Sequence, residues 1–441
     1  MRVVRFARTQ RTLAILGGAL VMAASITSGA QESELDALRA SVRASPADPA
    51  AALALGRALR RAGHLGDAQR EIRRGIAVGV ASPDIARGLR WEAARVEFDR
   101  RDFFQSVAAC KPLETLSSAE AHACLADADL VRQRATEALD ETATALAKDP
   151  RCYEAKVAEG RAYDLELDVV HAESSLRAAI AMLPDGVDGH LALGRVLVKE
   201  GQGPAAITEL RKAVSLDPHG PDAAFALATA LQQYGGPGAA REVEALLQQA
   251  TNQRPSFADA WLALGGLELE RGLVAQAGIA GEAVLRSVPT DVGARVLLGK
   301  VALSQGRADD AIKQGEAALK VVSNSAAAKL LVADANAKKG EIDAAIEAYQ
   351  AAWGLDHRDP TPLVHASVAS HGAGRDTTAR AFAVRATQEF PKWGPGWAAL
   401  GDALAGQGER GLARDAYRSA LVAPDGAVDK AAVAKRLATL Q

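Results

Sequence analysis

Few side chains in this 441-residue chain have the type and spacing that chemistry requires. Its histidines are scattered. His365 and His371 fall on one predicted helix, but a separation of six places them on different faces, where metal ligands would share one. His190 occupies a column beside the predicted core, which suits a packed or hydrogen-bonded ring. The sequence contains no glycine-rich phosphate loop, nucleophile elbow or Cys-x-x-Cys pair. Its many acidic residues sit on alanine-rich helices and read as solvated faces. The expectation is a protein with no catalytic residues, metal or cofactor, whose function lies in surface shape.

The cysteines are the remaining candidates. Cys110 sits near the end of one predicted helix and Cys124 within the next, on either side of a turn centred near Thr115 to Ser118. Neighbouring antiparallel helices would hold the two at similar heights. A disulfide there would close a loop of about 15 residues, worth roughly 3 kcal/mol in the chain-entropy treatment. The other reading is three reduced, buried thiols serving as small core residues. Cys152 is unpaired in either case.

The elements that position these residues announce themselves through a beat. Gly272, Gly306, Gly340, Gly374 and Gly408 recur every 34 residues, each followed five places later by alanine, at Ala277, Ala311, Ala345, Ala379 and Ala413. Twelve places before the alanines runs a column of small residues that includes Gly160, Gly194, Gly265, Gly299 and Gly401. Between the columns, apolar residues keep helical spacing, as in Leu193 and Leu197. Each repeat therefore reads as two amphipathic helices, the first ended by a glycine fit for a left-handed cap and the second by an Asp-Pro type of turn. Antiparallel helices approach closely only where side chains are small, so Gly194 is expected to face Ala206, Gly401 to face Ala413, and Gly160 to lie near Ala172.

On these residues the repeat resembles the tetratricopeptide repeat, a helix-turn-helix with small residues at positions 8, 20 and 27 and proline at 32. The segment from Val187 to Pro218 matches nearly every column. The resemblance implies an all-α fold: an α-solenoid, a right-handed superhelix of about eleven repeats over residues 49–425. Repeats two and three are degenerate, and an insertion lies near residues 235–238. A leader or cap helix is expected within 31–48 through Leu35, Leu38 and Val42, and a capping helix within 426–441 through Val428, Ala432, Val433 and Leu437.

The resemblance also implies that the first helices line a concave groove through positions 2, 5, 9 and 12. Position 5 is apolar, with Leu53, Val157, Leu191 and Phe225 in the front half. Position 9 is often basic, at Arg57, Arg161, Arg195 and Lys300, and Arg60 at position 12 joins this set. Asp334 and Asp402 make the rear half more acidic. The expected ligand is an extended or helical peptide, held by apolar walls with arginines on its carboxylates. In the alternative, position 5 packs between helices and the arginines are solvated. The lysine and asparagine clamp of chaperone-tail binders is missing from these positions.

Residues 1–30 read as an export signal: Arg2, Arg5, Arg8 and Arg11, an apolar stretch from Leu13 to Ile26, and Ser28-Gly29-Ala30 before Gln31. The alternative is an inner-membrane anchor formed by residues 12–31. The formal net charge is −2, and loss of those four arginines, with no acid among residues 1–30, would leave −6. An acidic chain argues against nucleic acid as a partner. The expected function is a non-catalytic scaffold in the bacterial cell envelope, periplasmic or exported, that binds proteins or peptides. The alternative is an adaptor or regulatory subunit of an envelope enzyme or export system, such as polysaccharide, pilus, secretion or motility machinery. Any contact with a membrane would run through an uncleaved N-terminus.

Overall fold

The computed structural model describes residues 33–79, 82–100, 103–115, 118–424 and 428–440; the expected export signal, residues 1–30, and the alternative anchor, 12–31, lie outside this set. The described elements are α-helices with two short 3-10 turns. They begin with α1 (33–44), α2 (Pro49–Arg61), α3 (Leu65–Val78), α4 (Pro83–Asp99), α5 (Phe103–Cys110), α6 (Ser118–Val131) and α7 (Ala135–Lys148). There follow α8 (Tyr153–Leu165), α9 (Val169–Met182), α10 (Val187–Lys199), α11 (Gly203–Leu216), α12 (Pro221–Tyr234), α13 (Ala240–Gln253), α14 (Ala258–Glu270) and α15 (Val274–Ser287). The rest are α16 (Val292–Ser304), α17 (Ala308–Val321), α18 (Ala326–Lys339), α19 (Ile342–Leu355), α20 (Thr361–Gly372), α21 (Asp376–Glu389), α22 (Gly394–Gly406), α23 (Arg410–Val422) and α24 (Lys430–Ala438). In the first compact unit α2 to α13 pair into six hairpins, and in the second α14 to α23 pair into five, each unit a stack of helix pairs of the all-α solenoid kind. The chain divides into two compact units, one ending at Ala260 and one starting at Trp261.

The hairpin turn explains the 34-residue beat. After the first helix the chain enters the left-handed region, with Gly201 at φ +76°, Gly306 at +76° and Gly340 at +84°. Hairpins three and four place Gln133 (φ +59°) and Leu167 (φ +63°) there instead. A side chain in this conformation costs about 1–2 kcal/mol.

In hairpins four, five and eleven the small column faces its partner helix, but at a different residue from the expected one, whereas Gly299 meets Leu331 on α18 of the next hairpin. Against Gly194 lies Leu210, whose Cγ would stand 2.5 Å from an added Cβ; Ala206 is one turn away. Tyr417 fills the same place against Gly401, and Leu176 against Gly160. A helical side chain leans back over the turn before it, so the space beside the alanine is filled from four residues further on. The alanines serve the backbone approach: the Ala172 carbonyl would meet a Gly160 Cβ at 3.2 Å. Ser367 exploits this, donating its hydroxyl to the Ala379 carbonyl at 2.9 Å.

Successive hairpins are tied at their turns. His190 Nε2, Arg295 Nη2 and Trp397 Nε1 each contact the carbonyl of the turn proline six residues earlier, Pro184, Pro289 and Pro391, at 2.8–2.9 Å. Unlike side chains at one position thus do one job: they satisfy an acceptor that the preceding helix leaves open. His190 also sets Nδ1 2.7 Å from the Glu209 carboxylate. His365 and His371 pair separately, with Asp334 and Asp376, and no cluster able to hold a metal occurs among the described residues.

The ends are covered. In α1, Leu35 is buried, with Leu38 and Val42 packed beside it. At the other end α24 begins at Lys430, after the Asp429 cap and within the expected 426–441; Val433 is buried, and Val428 and Leu437 pack alongside. Cys110 and Cys124 are joined by a disulfide in the second and third hairpins. Cys152 is a buried free thiol, and burial raises its pKa to about 12. The insertion at 235–238 forms a glycine turn, with Gly236 at φ +67°, leading into a 3-10 turn at Pro237–Ala239.

Candidate functional site

In the first compact unit the chain curves far enough to meet itself. Arg61, at the end of α2, pairs with Asp217 after α11 at 2.8 Å, and Arg254 Nε reaches the Arg61 carbonyl at 3.4 Å. The Gly63 turn sits beside Ser256. These contacts join hairpin one to the turns after hairpins five and six. Inside the curve, first helices α4, α6, α8 and α10 surround a cavity of about 550 Å³, within the roughly 300–1,000 Å³ range of ligand sites.

The cavity has an apolar floor, including Val157, Leu191 and Val196, and a ring of charge. The cations are Arg60, Arg95, Arg161, Arg195 and Lys199; the anions are Asp99, Asp127, Asp164, Asp188 and Asp222. They interlock between helices. Arg60 pairs with Glu92 at 2.8 Å and Asp99 at 3.0 Å, Lys199 with Asp164 at 2.7 Å, and Arg161 with Asp127. Arg254 approaches Asp222 from outside at 2.7 Å. Arg95 on α4 reaches Asp188 on α10 at 2.6 Å, across 93 residues of sequence. This last pair lies in the lining and bridges first helices that are far apart in sequence.

Arg195 is the exception. It lines the cavity, yet among the described residues it makes no ion pair or side-chain hydrogen bond. Arg195 is exposed to the cavity, yet partial desolvation by the surrounding walls pushes its pKa below the usual arginine value, with Arg161 adding to the effect while Asp222, Asp164 and Asp188 oppose it. The paired acids respond to the same setting. Burial would raise Asp188, but the Arg95 guanidinium prevails and holds it below the ordinary carboxylate range; Arg254 does the same for Asp222. At Asp127 burial prevails over Arg161 and Arg95, and its pKa rises.

Of the residues expected in the groove, Arg60, Val157, Arg161, Leu191 and Arg195 come together here. Leu53 packs over Gly88 instead, Arg57 is spent on Glu92, and Phe225 meets the Phe257 ring at 5.0 Å. Lys300 is exposed in the second compact unit. There the position-9 acids are committed: Asp334 accepts from Tyr349 and Asp402 from Tyr417, both at 2.7 Å. Arg95, Asp127, Asp164, Asp188, Lys199 and Asp222 went unrecognised as lining. Positions 2 and 12 of the repeat, held by Asp188, Asp222 and Asp164, carried the available signal. Arg95 lies where the repeat spacing drifts.

Comparison with known proteins agrees on the repeat. The family described as Tetratricopeptide repeat matches residues 168–221, 191–243, 225–292 and 296–360. No curated protein matches the chain. Solved structures similar to it include the crystal structure of the APC/C hetero-tetramer Cut9-Hcn1, at 17% identity, covering 93% of this chain and 87% of that one, with a TM-score of 0.44. A tetratricopeptide repeat protein from Parabacteroides merdae is 16% identical, covering 65% and 98%, with a TM-score of 0.41. Pseudomonas aeruginosa pilF is 21% identical, covering 46% and 92%, with a TM-score of 0.38.

Proposed function

Because this chain belongs to the tetratricopeptide-repeat superfamily, whose arrays act as protein-interaction scaffolds, we propose that it takes a segment of a partner protein into the cavity of its first compact unit. One observation carries the reading: first helices of consecutive hairpins surround a single cavity with an apolar floor and a charged wall. A volume of about 550 Å³ suits a short extended segment better than a helix about 10–12 Å across.

The setting we propose is the bacterial cell envelope. Support comes from the four arginines, apolar stretch and small-x-small pattern of residues 1–30, and from a disulfide, which suits an oxidising compartment. A photo-crosslinking residue at Leu191, in the cavity, and at Lys212, exposed on α11, tests the first part in cells. Partner crosslinks from Leu191 alone are expected; crosslinks from Lys212 alone would refute the cavity reading. Fractionation tests the second part, with a mature chain starting at Gln31 outside the cytoplasm as the expected result and an uncleaved cytosolic chain as the contrary one.

A further inference from the structure

The charge ring of the cavity does not close on itself. Each lining aspartate has a cation partner, and Asp222 takes its own from Arg254, behind the wall. The surplus is one positive charge, on Arg195, whose guanidinium carries five donors in a planar fork. The apolar floor of Val157, Leu191 and Val196 lies beside it.

A second observation points to the same place. Gln133 and Leu167 are the two non-glycine residues with positive φ among the described residues, and both line this cavity. Equivalent turns elsewhere use glycine, as at Gly201, Gly306 and Gly340. Leu167 is 78% exposed, so core packing does not account for it. Backbone strain kept for the sake of a side chain at a cavity rim is a pointer to use.

We propose that Arg195 receives a single carboxylate, carried by an acidic residue within an apolar stretch of partner polypeptide, while Leu167 and Gln133 hold the flanking residues at the rim. This rests on the cavity being the binding site. The neighbouring Arg60, Arg95 and Arg161 do not take part, because their own acids satisfy them. A second carboxylate would meet Asp164, Asp188 and Asp222 with no cation to spare, so one acid is preferred to several.

The test is selection of random dodecapeptides displayed on phage against the full chain, followed by affinity measurement with the best peptide, resynthesised and labelled. One acidic position between apolar residues should be enriched. Arg195→Gln should weaken binding about 10- to 100-fold, the scale of a hydrogen bond to a charged group. Leu167→Gly should weaken it several-fold while raising the melting temperature, a pairing that a purely structural role would not produce. Enrichment without an acidic position, or equal binding by Arg195→Gln, overturns the proposal and leaves peptide binding standing. Unchanged binding by Leu167→Gly overturns the role of the rim. A parallel titration uses aliphatic monocarboxylates of four to eight carbons. If these bind in an Arg195-dependent manner and no peptide is enriched, the ligand is a free acid and the polypeptide assignment is overturned. If neither probe binds, the cavity reading itself falls.

Discussion

Replacing Gly194 by alanine tests the packing that sets the hairpin spacing. The new Cβ would stand 2.5 Å from Leu210 Cγ and 2.6 Å from its Cδ2, and Leu210 is fully buried. Overpacking of this kind costs about 1–3 kcal/mol. Alanine also recovers about 1 kcal/mol over glycine within a helix. The net expectation is a loss of roughly 0–2 kcal/mol. Gly266 supplies the reference, since it too lies mid-helix and an added Cβ there meets nothing within 4 Å. Gly266→Ala should stabilise by about 0.5–1 kcal/mol, so the difference between the two variants reports the clash. Trimming the obstacle should remove it. Leu210→Ala alone costs about 2–5 kcal/mol, yet Gly194→Ala with Leu210→Ala should cost less than the sum of the singles by the size of the clash. Stacked repeats can open in parts, so native-state hydrogen exchange of α10 and α11 should accompany urea unfolding. If Gly194→Ala stabilises as much as Gly266→Ala, the close approach is wrong.

Other consequences can be checked separately. Without reductant the unfolded chain should show one free thiol, Cys152, which should resist maleimide at pH 8 while folded because burial raises its pKa to about 12; three free thiols would refute the disulfide. Changing Cys110 and Cys124 together to alanine should cost about 3 kcal/mol, with faster exchange in α5 and α6 than elsewhere. Asp188, Asp222 and Glu92 all have pKa values held below their ordinary ones, burial notwithstanding, by Arg95, Arg254 and Arg60 respectively. Their stabilisation is therefore present above the unfolded-state values near about pH 4 and lost as pH falls through the folded ones. Asp127, with its raised pKa, works in the opposite sense. Asp188→Asn should flatten the acid limb of the stability profile, and an unaltered limb would contradict the Arg95 brace.

Local regularities are legible in the sequence, because they are written at short range. The glycine beat follows from a left-handed turn in each hairpin, and the apolar spacing from which face each helix buries. The lean of a helical side chain moved the partner of Gly194 to Leu210, a shift that column alignment cannot register. The charge ring was harder to see. Arg95 and Asp188 are neighbours only once two intervening hairpins have turned the chain back, and no periodicity records how far each hairpin rotates on the last. Arg161 and Arg195 occupy the same repeat position, and only the geometry separates the neutralised cation from the unmatched one.

The link from Arg61 to Asp217, and from Arg254 back to Arg61, gives the first compact unit a history as well as a geometry. An ordinary row of hairpins can consolidate one at a time as it leaves the ribosome, each needing only the one before. Here the earliest hairpin waits for partners made some 156 and 193 residues later. That final latch forms late, and a nascent chain arrested before Asp217 would present the end of α2 with its remote contacts still unmade.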